Sequence, residues 1–206
     1  KEGGNAVTTS TTYINDNFTN KGTLNLTGDI DKDIKGSGTT VLSAIGNRVK
    51  VVGDRTIEGT LNGNGKTINM MSVSDIRHNT LTVNSLAGTN NLNIGVNMIT
   101  QYDADTGRKI ATSSDVINLT GTSEADTVLN LSGIVAYGIS QVIPPYGTET
   151  YQNYVTYATT SGDGTLDNLT FKLMGYEKGD ENAKYVAVVS NGFTRQSREY
   201  TFTLGD

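Results

Sequence analysis

From Thr23 onward the chain repeats one short unit, two or three apolar residues on alternate positions followed by a Gly or Asn turn. Leu24 and Leu26 precede Gly28; Val49 and Val51 precede Gly53; Ile57 and Leu61 lead into Asn62-Gly63-Asn64-Gly65. Ile68 and Met70 continue to Val73; Leu81, Val83 and Leu86 lead to Gly88; Leu92, Ile94 and Val96 follow. Val116, Ile117 and Leu119 run to Gly121, and Val128, Leu129 and Leu131 to Gly133. A period of two places alternate side chains on opposite faces of an extended strand, and regular Gly/Asn punctuation marks strand ends. No stretch here holds an i, i+3, i+4, i+7 pattern for three turns, so little helix is expected.

Two all-β architectures satisfy that pattern, a sandwich built of hairpins and a right-handed parallel β-solenoid (β-helix) whose coils stack one on the next. Many short self-similar strands, with Asn, Ser and Thr between them, favour the solenoid, in which Asn can ladder at the corners. Residues 1–22 are polar and weakly patterned and read as a leader or partial first coil, residues 23–133 as solenoid coils, and residues 134–206 as a C-terminal β cap. The last part carries the two prolines, Pro144 and Pro145, and longer strands at Leu169–Leu173, Tyr185–Val189 and Tyr200–Leu204. Asp163-Gly164 and Lys178-Gly179-Asp180 are turns of hairpin type there. An uncovered solenoid end is an open strand edge, and an aromatic, hairpin-rich segment is the expected cover.

Composition narrows the functional classes. The net charge is −5, from 16 basic and 21 acidic residues, with no basic run anywhere. Nucleic acid and anionic membrane surfaces, which need clustered Lys and Arg, are therefore not expected partners. No apolar stretch is long enough to span a bilayer, so no membrane insertion of this segment is expected. The start at Lys1 reads as a mature boundary without a signal peptide. Cysteine is absent, Gly reaches 24 residues, and Thr, Asn and Ser dominate the polar positions. That combination points to an extracellular or cell-surface location.

Two stretches, Leu81-Thr-Val-Asn-Ser-Leu86-Ala-Gly88-Thr-Asn-Asn-Leu92-Asn-Ile94 and Ser114-Asp115-Val116-Ile117-Asn118-Leu119-Thr120-Gly121, resemble the passenger domains of Gram-negative autotransporters. These are the pertactin-like β-helices of type V secretion, and the resemblance covers roughly residues 23–133. It implies a surface-exposed, non-enzymatic adhesin or aggregation factor. Its partners would be a host or bacterial surface protein or glycan, or further copies of itself. It carries over no catalytic residue.

Several motifs approach known chemistries and stop short. Gly63-Asn64-Gly65-Lys66-Thr67 ends like a phosphate-binding loop, but the first Gly would fall on Thr60 and no helix pattern follows. Asp29, Asp31 and Asp33 alternate like a calcium loop whose sixth position, Ile34, should be Gly and whose twelfth, Thr40, should be Glu. Asp103-Ala-Asp105-Thr-Gly107 is a similar partial match; both read as solvated turns. His78, the sole histidine, has Ser72, Ser74 and Asp75 nearby in sequence, yet no Gly-x-Ser-x-Gly elbow exists, so catalysis is not expected. One His and no Cys exclude a structural zinc site, and no cofactor is expected.

A carbohydrate-active β-helix enzyme is the alternative, with Asp54, Arg55 and Glu58, or Asp163 and Asp167, as the start of a carboxylate cluster. A phage or appendage structural protein ranks third. The sequons at Asn17, Asn25, Asn118, Asn130 and Asn168 follow from a chain rich in Asn and Thr. Tyr137, Tyr146, Tyr151, Tyr154 and Tyr157 form the one aromatic cluster. They are either a recognition surface, since Tyr offers contact area at small entropic cost, or core of the cap.

Overall fold

The computed structural model describes residues 8–71, 77–103, 107–139, 154–191 and 196–205. It is all-β, with no helix among those residues. The strands are β1 (Thr8–Thr11), β2 (Thr23–Leu26), β3 (Thr39–Leu42), β4 (Arg48–Lys50), β5 (Arg55–Asn62), β6 (Thr67–Asn69), β7 (Thr80–Ala87) and β8 (Thr89–Asp103). They continue with β9 (Gly107–Ser114), β10 (Val116–Leu119), β11 (Thr127–Ile139), β12 (Ala158–Thr160), β13 (Leu169–Leu173), β14 (Tyr176–Glu177), β15 (Lys184–Asn191) and β16 (Gln196–Thr203).

Most pairing is parallel. One sheet runs β1-β2-β3-β5-β7-β10-β12, and a second runs β4-β6-β8-β11-β13 with β14 on its outer edge. Every pairing within the first sheet is parallel, as is every one between β4 and β13 in the second. Two strands depart from this: β9 folds back antiparallel on β8, and β14 does so on β13. β15 and β16 form a separate antiparallel hairpin.

Alternation explains why both sheets close on one core. In the second sheet Val49, Ile68, Leu92, Leu131 and Leu173 fall in register, and all five are buried. Strands in a sheet lie about 4.8 Å apart, so this is a continuous column of touching aliphatic side chains. Leu24, Thr40, Leu61 and Leu86 make the facing kind of column in the first sheet. The alternate positions (Thr23 and Asn25, Thr39 and Val41, Thr80 and Thr82) are only half-buried. Between sheets the chain turns where Asn and Gly accept positive φ, as at Asn64 (49°) and Gly65 (72°). Gly59, inside β5, is required for close approach: a Cβ there would overlap the Gly38 carbonyl oxygen of the neighbouring turn.

Past Gly133 the two sheets continue. β11 crosses that position through a bulge, β12 adds to the first sheet and β13 to the second. The turn at Asp163-Gly164 therefore links two sheets and closes no hairpin, because β12 and β13 pair in parallel with earlier strands. Lys178-Gly179-Asp180 likewise joins β14 to β15, which do not pair with each other. Sequence signals for a tight turn fix local backbone geometry but not which strands it brings together. The β15–β16 hairpin lays Tyr185, Tyr200 and Phe202 against the common core.

Candidate functional site

Four of the carboxylates that the sequence singles out are tied to backbone N–H groups elsewhere in the chain. Asp29 accepts from Lys50 N at 2.9 Å, Asp33 from Thr56 N at 2.9 Å, and Asp54 from Thr80 N at 2.8 Å. Glu58 accepts from Gly36 N at 2.7 Å. Each of these carboxylates thus serves as acceptor for a backbone N–H distant in sequence. Asp163 and Asp167 are exposed turn residues. Among the described residues no group of three His, Asp or Glu converges as a metal site would require. The segment 104–106 lies outside the described residues, which leaves most of the Asp103–Gly107 match unplaced.

Gly63-Asn64-Gly65 is a turn that Gly65 N fastens to Thr89 O at 2.9 Å, and Thr67 opens a strand. Without a helix start it lacks the row of N–H groups that cradles phosphate. The Asn residues of the sequons stitch turns together: Asn130 donates to Asn91 Oδ1 at 2.8 Å and accepts from Gly175 N at 2.8 Å. Asn118 donates to Ser161 Oγ at 2.8 Å.

The tyrosine cluster divides. Tyr157 packs edge-on against Phe171, with ring centroids 6.4 Å apart, and burial pushes its phenol up to about 12. Tyr154, three residues earlier, is 81% exposed. Tyr137 is half-buried on β11, and Tyr146 and Tyr151 lie outside the described residues. The cluster thus divides between a ring packed against the core and a ring in solvent.

Tyr137 leads to a second group that sequence reasoning assembled differently. Its register partner on β8 is Asn97, which pairs in turn with Ser113 on β9, so the three side chains share one face. Beside them is Gly95. Both Tyr137 Cε2 (3.7 Å) and Asp115 Oδ2 (3.3 Å) crowd the point where a Cβ of Gly95 would stand. His78 closes the group: its Nε2 is 3.0 Å from Ser113 Oγ, and its Nδ1 is 3.7 Å from Asp115 Oδ1. Ser72, Ser74 and Asp75, its neighbours in sequence, are outside the described residues. The partners found are 35 or more positions away.

Asp115 has a side chain only 2% exposed. Its two oxygens accept from Asn79 N and Gly95 N, each at 2.7 Å. Burial raises its carboxyl above the ordinary 3.8, opposed by those two N–H donors and by His78. Ser114 Oγ donates to Thr156 O at 2.7 Å, and Ile117 N to Tyr157 O at 2.9 Å, which fastens the segment 154–157 to the same place. The sequence signal was thin: Ser113-Ser114-Asp115 is a polar interruption before the apolar alternation of β10.

These features define an all-β protein of parallel sheets with a mixed Tyr, His, Ser and Asp patch where β9, β10 and the segment 154–157 meet. Comparison with known proteins finds no match for this chain among family models, curated sequences or solved structures.

Proposed function

We propose that the chain is a length of right-handed parallel β-solenoid, with a C-terminal β cap, from a secreted or surface-displayed Gram-negative protein. On this reading it is of the autotransporter-passenger kind and acts without catalysis in adhesion or self-association. One observation carries the reading. From β3 to β13, apart from the β9 return, successive strands alternate between two parallel sheets, and each pairs with the next strand of its own sheet. A chain wound this way around one core grows by stacking and presents a long side wall. The wall formed by the first sheet carries many Thr and Asn, and Asp54 and Glu58 beside it are engaged with backbone N–H groups. That arrangement favours contact over hydrolysis.

The recognition residues are Tyr137, half-buried on β11, and Tyr154, which projects from the segment 154–157. Its target would be a glycan or protein of a host or bacterial surface, or a second copy of the chain. The test is capture of the purified chain on glycan and epithelial-cell surfaces, with sedimentation velocity for self-association. Replacing Tyr137 and Tyr154 by Ala should weaken whichever contact is found by about 10-fold or more, since anchor aromatics commonly carry over 1 kcal/mol each. Depolymerisation of a polysaccharide, lost in a folded Asp54→Ala, Glu58→Ala variant, would overturn the reading in favour of a carbohydrate-active enzyme.

A further inference from the structure

We propose that Ser113 is a nucleophilic serine, a site of covalent acyl modification activated by His78 and Asp115. This goes beyond the binding reading and does not depend on it. A serine hydroxyl is a poor nucleophile until a base at hydrogen-bond distance takes its proton, and that base works best when a third group orients it and balances its charge. All three parts are present. Ser113 Oγ and His78 Nε2 are 3.0 Å apart. The opposite ring nitrogen, Nδ1, faces Asp115 Oδ1 at 3.7 Å, too long for a hydrogen bond and close enough for a strong field at a buried carboxylate. Such contacts commonly tighten only when a reactant is bound. Asp115 cannot turn away, because both its oxygens are held by backbone N–H groups.

Accessibility separates this group from a structural strut. Ser113 is exposed, while the carboxylate behind it is buried and His78 is mostly covered, with a side chain 19% exposed. The reactive end thus faces solvent, and the orienting end is inside. Ser113 stands near the end of β9, the strand that among the described residues pairs with β8 alone. Ser114 is the internal contrast, its hydroxyl committed to Thr156 O.

The reactant class is an activated carboxylic ester. Ser113 Oγ attacks the carbonyl carbon, and the Oγ proton passes to His78 Nε2. The bond to the leaving oxygen breaks, and that oxygen departs with the proton from His78. The products are an ester of Ser113 and a free alcohol or phenol. No oxidant or reductant is needed.

The experiment treats the full chain with p-nitrophenyl acetate, following phenolate release, and in parallel with an alkyl fluorophosphonate, mapping adducts by peptide mass spectrometry. The expected result is one dominant adduct at Ser113, absent in Ser113→Ala and slowed about 100-fold or more in His78→Gln, the scale of a lost general base. Circular dichroism establishes that each variant is folded. Should His78→Gln not fold, Ser113→Cys and Ser114→Cys are compared with iodoacetamide, and the cysteine at 113 should react at least about 10-fold faster. Modification at Ser113 no faster than at Ser114, or equal rates with and without His78, would overturn the proposal. Surface capture unchanged in Ser113→Ala would leave the binding reading standing whichever way the labelling falls.

Discussion

Replacing Asp115 by Ala tests whether a single buried carboxylate holds three segments together. The substitution removes the acceptor of Gly95 N, which is buried, and of Asn79 N, which is partly buried. A buried N–H left without a partner costs about 1–3 kcal/mol, and one that water can reach costs less. The sum is about 2–4 kcal/mol. Relief from burying a charge works in the opposite direction, but the two short N–H contacts already compensate for much of that burial. For a chain of this size 1 kcal/mol moves the melting temperature by about 2–4 °C, so a fall of roughly 5–15 °C is expected in thermal circular dichroism. Asp29→Ala is the control, since its partner Lys50 N is at the exposed end of β4, where water can substitute, and little change is expected. Equal losses in the two variants, or no loss at Asp115, would refute the reasoning.

The same residue carries a pH signature. Its folded carboxyl lies above 3.8, so the folded state holds that proton more tightly than the unfolded chain and this contribution is lost as pH rises through the folded value. Melting temperatures of Asp115→Asn and the parent, compared across a window opening near pH 3.8, should shift in favour of Asn as pH rises. Thr40 is fully buried between Leu24 and Leu61 with its hydroxyl unpartnered, so Thr40→Val should gain about 1 kcal/mol, read as a higher urea midpoint at constant slope. Tyr157 is held neutral until about pH 12, against 10.0 ordinarily, so its contribution to stability is complete below pH 10 and lost through 12. Ultraviolet titration should show a late tyrosine step that disappears in Tyr157→Phe.

The sequence by itself determined the all-β class and most of the core. Leu24, Leu26, Ile57, Leu61, Ile68, Leu81, Val83, Leu92, Leu119 and Leu131 stand on alternate positions, and each is buried, because a strand has two faces and only one can leave water. Asn64-Gly65 was legible as a turn for a similarly local reason, the tolerance of those residues for positive φ. What alternation cannot encode is the direction of a neighbour, since a strand presents the same faces to a parallel or an antiparallel partner. Tertiary structure therefore decided that β2 to β8 pair in parallel, that β9 folds back, and that Asp163-Gly164 links two sheets. It also separated Tyr157, half-buried against the core, from Tyr154 in solvent, although the two lie three residues apart. His78, Ser113 and Asp115 show the same limit most plainly. Their meeting depends on β8 pairing with β9 and on Asp115 reaching back to Asn79 N, contacts made over separations of 35 and 36 residues in two of the cases. Local spacing carries no trace of a contact closed across so long a loop; only the stacking of the sheets brings those residues together.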